Sequence, residues 1–279
     1  MDTKTIIWQD FGPTTSGEIY LYNESGITRL TNNSVKEKDI QLSGSTVAWS
    51  AFDGKDFEIY LYDGIRTQRL TNNSFDDYSP VLNGNRVAWF QWNNNQENLF
   101  FHDGKKSQQV TTNLEVNNPL ILASNLVYEQ TETTGNISLK MYNPTTRTTR
   151  TLSSKLIPES VAPSTNDNVV AWLEDNPEND RSTLKFWNGS KTVTVADNVL
   201  GKRIALRSNK LLYTAPPKVY KDQSNNGQLF VCEVNDPSGK STQVTDGQND
   251  DYRGYYGVPN MIEDRKSTRL NSSHSSVSR

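Results

Sequence analysis

The sequence predicts an all-β fold, a six-bladed β-propeller of four-stranded antiparallel blades, and three observations carry that expectation. A unit of about forty residues recurs along the chain. Apolar residues inside each unit alternate with a period of two, as half-buried strands require. Asp-Gly and Asn-Gly pairs, which supply the positive φ of tight hairpins, punctuate the units. The 279 residues include six Trp and twelve Tyr and are 33% hydrophobic, a balance suited to many short strands with polar loops.

The repeat is plainest where Glu18-Ile19-Tyr20-Leu21-Tyr22 returns 40 residues later as Glu58-Ile59-Tyr60-Leu61-Tyr62, and Arg29-Leu30-Thr31-Asn32-Asn33-Ser34 as Arg69-Leu70-Thr71-Asn72-Asn73-Ser74. Each unit reads as four strands: Pro80 to Leu82 typifies the first, Val87 to Trp89 the second, Glu58 to Tyr62 the third and Thr67 to Thr71 the fourth. Second strands carry Trp8, Trp49, Trp89, Tyr128, Trp172 and Tyr213, read as large residues packed between blades. Asp63-Gly64, Asp103-Gly104 and Asn188-Gly189 separate third from fourth strands. The first unit lacks a first strand, and the chain after Asp250 begins another unit. Gly254 to Asn260 is therefore expected to pair with the N-terminal strands and close the ring, which removes exposed strand edges.

The propeller is expected to span residues 1–263. The run Asp264-Arg265-Lys266-Ser267-Thr268-Arg269-Leu270-Asn271-Ser272-Ser273-His274 breaks the repeat and resembles the translation of a sequencing-library adapter, so residues 264–279 are read as a non-native or disordered tail.

Composition excludes several functions. A formal net charge of −3 gives no basis for nucleic-acid binding. No apolar run is long enough to span a membrane as a helix. Cys232 is the single cysteine, read as a small buried core residue, and two histidines are too few for a zinc centre built on imidazole. No Gly-x-Ser-x-Gly elbow or phosphate-loop pattern occurs, so no catalytic residue is assigned.

The order Leu-Thr, Asp76-Asp77-Tyr78-Ser79-Pro80, Val87-Ala88-Trp89 and Glu58-Ile59-Tyr60-Leu61-Tyr62-Asp63-Gly64 resembles the TolB-like, WD40-like (PD40) propeller repeat. It departs from that repeat where the usual Ser-Pro-Asp-Gly turn is replaced by Leu42-Ser43-Gly44-Ser45 and Leu82-Asn83-Gly84-Asn85. The resemblance implies a bacterial periplasmic or extracellular protein that binds other proteins. It also implies that the loops from second to third strand and from fourth strand to the next blade share one face.

Those loops carry Asp53, Asp56, Asp76, Asp77, Tyr78, Glu115, Glu159, Asp250, Asp251 and Tyr252, the candidate ligand-binding residues of an acidic face. Arg29, Arg66, Arg69, Lys105, Lys106, Arg147, Arg150 and Lys191 are expected on the opposite face. No cofactor or metal is assigned. Oxygen-only clusters suit Ca²⁺, but Lys36-Glu37, Glu115-Val116 and Glu159-Ser160 stand where Asp76-Asp77 stands, so no uniform acidic ring forms. The functional reading is a monomeric, non-catalytic module that binds a protein or peptide, a basic one by charge. The alternative is the propeller domain of a truncated enzyme, either a prolyl-oligopeptidase-like peptidase or a carbohydrate-active protein.

Overall fold

The computed structural model describes residues 5–11, 17–157, 160, 162–163, 169–176, 181–216, 227–236, 238–245, 261–264 and 267–270. Every regular element among them is a strand. The chain divides into two compact units, residues 1–134 with 140–150 and residues 135–139 with 151–279.

β1 (Ile6–Asp10), β2 (Glu18–Asn23) and β3 (Gly26–Arg29) form a three-stranded sheet. Four-stranded meanders follow: β4 (Glu37–Ser43), β5 (Thr46–Phe52), β6 (Phe57–Tyr62) and β7 (Thr67–Arg69), then β8 (Asp76–Asn83), β9 (Arg86–Asn93), β10 (Gln96–His102) and β11 (Ser107–Gln109). A further meander holds β12 (Val116–Leu122), β13 (Asn125–Thr131), β14 (Ile137–Asn143) and β15 (Thr148–Ser153). These antiparallel sheets are of the kind expected for propeller blades. Among the described residues the first sheet has three strands, the first-strand position of the repeat being unfilled by them.

The later chain departs from the four-strand rule. β16 (Ala162–Pro163), β17 (Val170–Asn176), β18 (Arg181–Trp187), β19 (Thr192–Arg207), β20 (Lys210–Ala215), β21 (Gln228–Glu233) and β22 (Ser241–Gln243) are hydrogen-bonded in one seven-stranded order. The cause is β19. Its first half pairs with β18, Thr192 opposite Trp187, and its second half with β20, Arg207 opposite Lys210. A fourth strand and the next first strand thus run on as one strand where other units place a loop. β23 (Met261–Asp264) and β24 (Ser267–Leu270) form a separate hairpin. The segment expected to close the ring, residues 254–260, lies outside the described residues.

Sheet faces pack on one another through period-two alternation. Along β5, Val47, Trp49 and Ala51 join Ile19 and Leu21 of the first sheet, while Ala48 joins Ile59, Leu61, Val87 and Trp89. Both faces of β5 are therefore covered, which is why a central strand reads as a nearly continuous apolar run. Of the expected aromatic core, Trp49, Trp89, Tyr128, Trp172 and Tyr213 are buried, while Trp8 is half-buried and stacks on Tyr20 at 5.4 Å. Cross-strand partners stack on several of them, Trp49 on Tyr60 at 5.8 Å and Trp89 on Phe100 at 5.7 Å between centroids. In the second unit Ala171, Leu173, Leu184, Phe186, Leu211, Tyr213 and Phe230 gather around buried Cys232.

First strands share one irregularity. Asp39, Ser79 and Asn118 take positive φ of 56°, 50° and 49°, and the pairing register slips beside each. These are β-bulges, which bend a strand and re-aim its side chains.

Candidate functional site

In the first three sheets the Leu-Thr repeat element is a clamp that ties the fourth strand to the start of the third. Thr31, Thr71 and Thr111 accept the backbone N–H of Ile19, Ile59 and Leu99 on Oγ1 at 2.8, 2.8 and 2.9 Å. A residue near the start of the third strand then accepts a loop amide: Glu18 from Asn33 at 3.0 Å, Glu58 from Asn73 at 2.8 Å, Asn98 from Asn113 at 3.1 Å. A long side chain on the fourth strand donates to the threonine carbonyl: Arg29 at 2.8 Å, Arg69 at 2.7 Å, Gln109 at 2.8 Å. Otherwise orphaned backbone groups are satisfied in this way in the first three sheets.

This corrects one expectation. Arg29 and Arg69 do not populate the hairpin end, because the fourth strand runs away from its hairpin and leaves them beside the acidic loops. There Arg29 pairs with Glu18 at 3.2 Å, and Arg69 bridges Asp53 and Glu58, both at 2.7 Å. Arg66 does stay at the hairpin, 3.7 Å from Asp63.

Second-to-third-strand loops and inter-sheet loops meet at one end of successive sheets. Phe52 donates its N–H to the Lys36 carbonyl at 2.9 Å, and Thr131 to that of Glu115 at 3.0 Å. Between neighbouring sheets, Phe57 donates its N–H to Asp76 Oδ1 at 2.9 Å. Asp53, Asp56 and Glu58 each place a carboxylate oxygen within 4.8 Å of the others. Asp53 is exposed and organises its own turn, its Oδ1 accepting the N–H of Lys55 at 3.0 Å and of Asp56 at 3.4 Å. Hydrogen bonding from Arg69 pulls its pKa down to about 2. Asp56 is 6% exposed and Glu58 0%. Burial pushes the Asp56 pKa up, and the charges of Glu58, Asp53 and Asp76 push it further. Three carboxylates thus face one guanidinium, leaving local negative charge that is partly shielded from water.

Asp76 is exposed, whereas Asp77, one residue on, is 0% exposed and points inward. Its Oδ1 accepts the Trp89 indole N–H at 2.9 Å and Gln91 at 3.1 Å, and its Oδ2 accepts Asn73 at 2.6 Å. Burial lifts its pKa to about 6 despite those donors. Tyr78 is half-buried and donates its hydroxyl to Glu97. Glu115 is exposed. Glu159, Asp250, Asp251 and Tyr252 lie outside the described residues.

Sequence reasoning did not single out Glu58 and Arg69 as site residues, nor the apolar groups at the same end. Phe11 is 68% exposed and Trp92 48%, and with Phe52 they occupy one position in three successive sheets. Trp92 lies directly across the ladder from Asp76. His102, by contrast, is a buried strand residue with Nδ1 3.2 Å from Ser107 Oγ.

No family model matches the chain, and no curated protein matches it. Among solved structures it is similar to TolB from Acinetobacter baumannii, at 11% identity and TM-score 0.43, over 84% of this chain and 61% of that one. It is also similar to a Mycobacterium tuberculosis puromycin-hydrolyzing peptidase, at 12% identity and TM-score 0.48, over 87% of this chain and 43% of that one. The β-propeller domain of the Trilobed protease from Pyrococcus furiosus matches at 8% identity and TM-score 0.47, over 88% and 80%. The chain thus spans less than two thirds of the length of the TolB and peptidase structures.

Proposed function

We propose that this chain is a non-catalytic, TolB-like propeller module of six blades, closed by its terminal strands, that binds a protein or peptide through its acidic loop end. The reading extends to a monomer in the bacterial periplasm or outside the cell. One observation carries the binding assignment: Trp92, half exposed, sits beside the exposed carboxylate of Asp76, with Asp53 in the loop of the preceding sheet. Large solvent-facing aromatics among carboxylates suit a lysine- or arginine-bearing segment, because the ring supplies contact area and a cation–π face while the acids steer approach.

The test is fluorescence anisotropy of a labelled Lys/Arg-rich peptide titrated with the full chain at rising salt. Binding that weakens with salt is expected, with Trp92→Ala costing about tenfold or more in Kd, as an interfacial aromatic does. Asp76→Asn should act mainly on the salt dependence. Equal affinity for acidic and basic peptides, or no effect of Trp92→Ala, would remove this face from consideration.

A further inference from the structure

We propose that Asp53, Asp56 and Glu58 form a calcium site at the loop end of the sheet β4–β7. This site does not depend on the peptide-binding reading, and its test contains no peptide.

The acidic grouping alone would not suffice, since exposed carboxylates commonly cluster without a ligand. Two of these are not exposed. Asp56 is 6% and Glu58 0% exposed, and Oδ1 of Asp56 and Oε2 of Glu58 accept no hydrogen bond from any described residue. A buried carboxylate oxygen without a partner loses its hydration and gains nothing in exchange. Arg69 does not remedy this, because its guanidinium is committed to Asp53 Oδ2 and Glu58 Oε1, the other oxygen of that carboxylate. The two unpartnered oxygens sit in a group whose carboxylates approach within 4.8 Å. Hard oxygen donors at that spacing, carrying net negative charge, are what Ca²⁺ takes, with solvent filling its remaining positions.

The following sheet shows that the fold does not demand these charges. At the same register Asn93, Gln96, Asn98 and Gln109 replace Asp53, Asp56, Glu58 and Arg69. Asn98 and Gln109 perform the same backbone duties as Glu58 and Arg69, at 3.1 and 2.8 Å. Asn98 and Gln109 thus do with neutral amides what Glu58 and Arg69 do with charges, so the charge of Glu58 is surplus to the clamp, whereas Asp53 also caps its own turn.

Calorimetric titration of the full, chelator-stripped chain with CaCl₂ tests the site, with MgCl₂ and NaCl as controls. One Ca²⁺ per chain is expected, with a Kd on the order of 0.1–1 mM, the range of extracellular modules, and with melting temperature rising as the site fills. Asp56→Asn should weaken binding at least tenfold. The combined change Asp53→Asn, Asp56→Gln, Glu58→Asn and Arg69→Gln, which copies the neighbouring sheet, should abolish it while the circular dichroism spectrum is kept. Asp56→Asn carries the comparison if the fourfold variant fails to fold. No saturable calcium heat up to about 10 mM, or the same heat in wild type and Asp56→Asn, would overturn the proposal in favour of a proton shared between Asp53 and Asp56.

Discussion

The sheets β4–β7 and β8–β11 share strand order and a first-strand bulge, yet solve the same local problem at the fourth-strand clamp with different chemistry. In the first, Glu58 and Arg69 form a partly buried ion pair at 2.7 Å. In the second, Asn98 and Gln109 stand 3.4 Å apart as neutral amides. Both pairs cap the amide fifteen residues after the third-strand residue and the carbonyl of the fourth-strand threonine. The repeat preserves hydrogen-bond geometry rather than charge.

That lesson is broken most directly at Glu58. Glu58→Ala strands Arg69 beside Asp53 and orphans the Asn73 N–H, and should cost about 3 kcal/mol by urea unfolding in chelator-containing buffer, as for loss of one partner of a buried pair. The double change Glu58→Asn with Arg69→Gln imports the neighbour's solution and should cost less than about 1 kcal/mol. If the double variant were as unstable as Glu58→Ala, the two sheets would not be interchangeable at this corner.

A second contrast lies one step further along. Asp77 receives the indole N–H of Trp89 in β9, whereas in the sheet that follows the corresponding pair is Val116 and Tyr128. An acceptor is buried where an indole must be satisfied and is dispensed with where it need not be. Asp77 carries a linkage consequence. Its folded pKa of about 6 exceeds the ordinary value of 3.8, so the folded state binds the proton more tightly than the unfolded chain. Its contribution is fully present below pH 3.8 and is lost as pH rises through about 6. Relative to Asp77→Asn, which cannot titrate, the wild type should gain about 2 kcal/mol between pH 7 and pH 4.5. Glu37 and Asp56, also raised, titrate in both proteins and cancel in the difference. Parallel pH profiles would show that Asp77 is not held as described.

The strands, their hairpins and the aromatic core were legible because periodicity two, Gly-bearing turns and bulky second-strand residues report directly on burial. The division between Asp76 and Asp77 was not, since both stand in one loop-like Asp-Asp-Tyr run, and only the strand pleat sends one outward and the other in. Glu58 was hidden for a related reason. A carboxylate opening a strand reads as solvated, and it is buried here because a second sheet covers its face and Arg69 folds back over it. The joint replacement of Glu58 and Arg69 by Asn98 and Gln109 was the available signal, since two positions that change together in an internal repeat touch. The fusion of two strands into β19 left no such mark.

The smallest expected effect concerns the hairpins between first and second strands, where the repeats differ in a single turn residue. Gly44 and Gly84 hold φ of 62° and 55°, while the third hairpin of the series places Ala123 in the same left-handed region at 42°. A Cβ there meets the following carbonyl, at a cost of about 1 kcal/mol, which glycine escapes. Ala123→Gly should therefore stabilise the protein by a few tenths of a kcal/mol, after about 0.4–1 kcal/mol for the unfolded chain's added freedom is deducted. Gly84→Ala should destabilise it by a similar amount, and because a Cβ at Gly84 would meet nothing within 4 Å, that loss isolates backbone strain from packing. The pair of substitutions moved in opposite directions by chemical denaturation is the outcome expected if these hairpins share one conformation. A destabilising Ala123→Gly would mean that the alanine methyl group contributes packing that outweighs its strain.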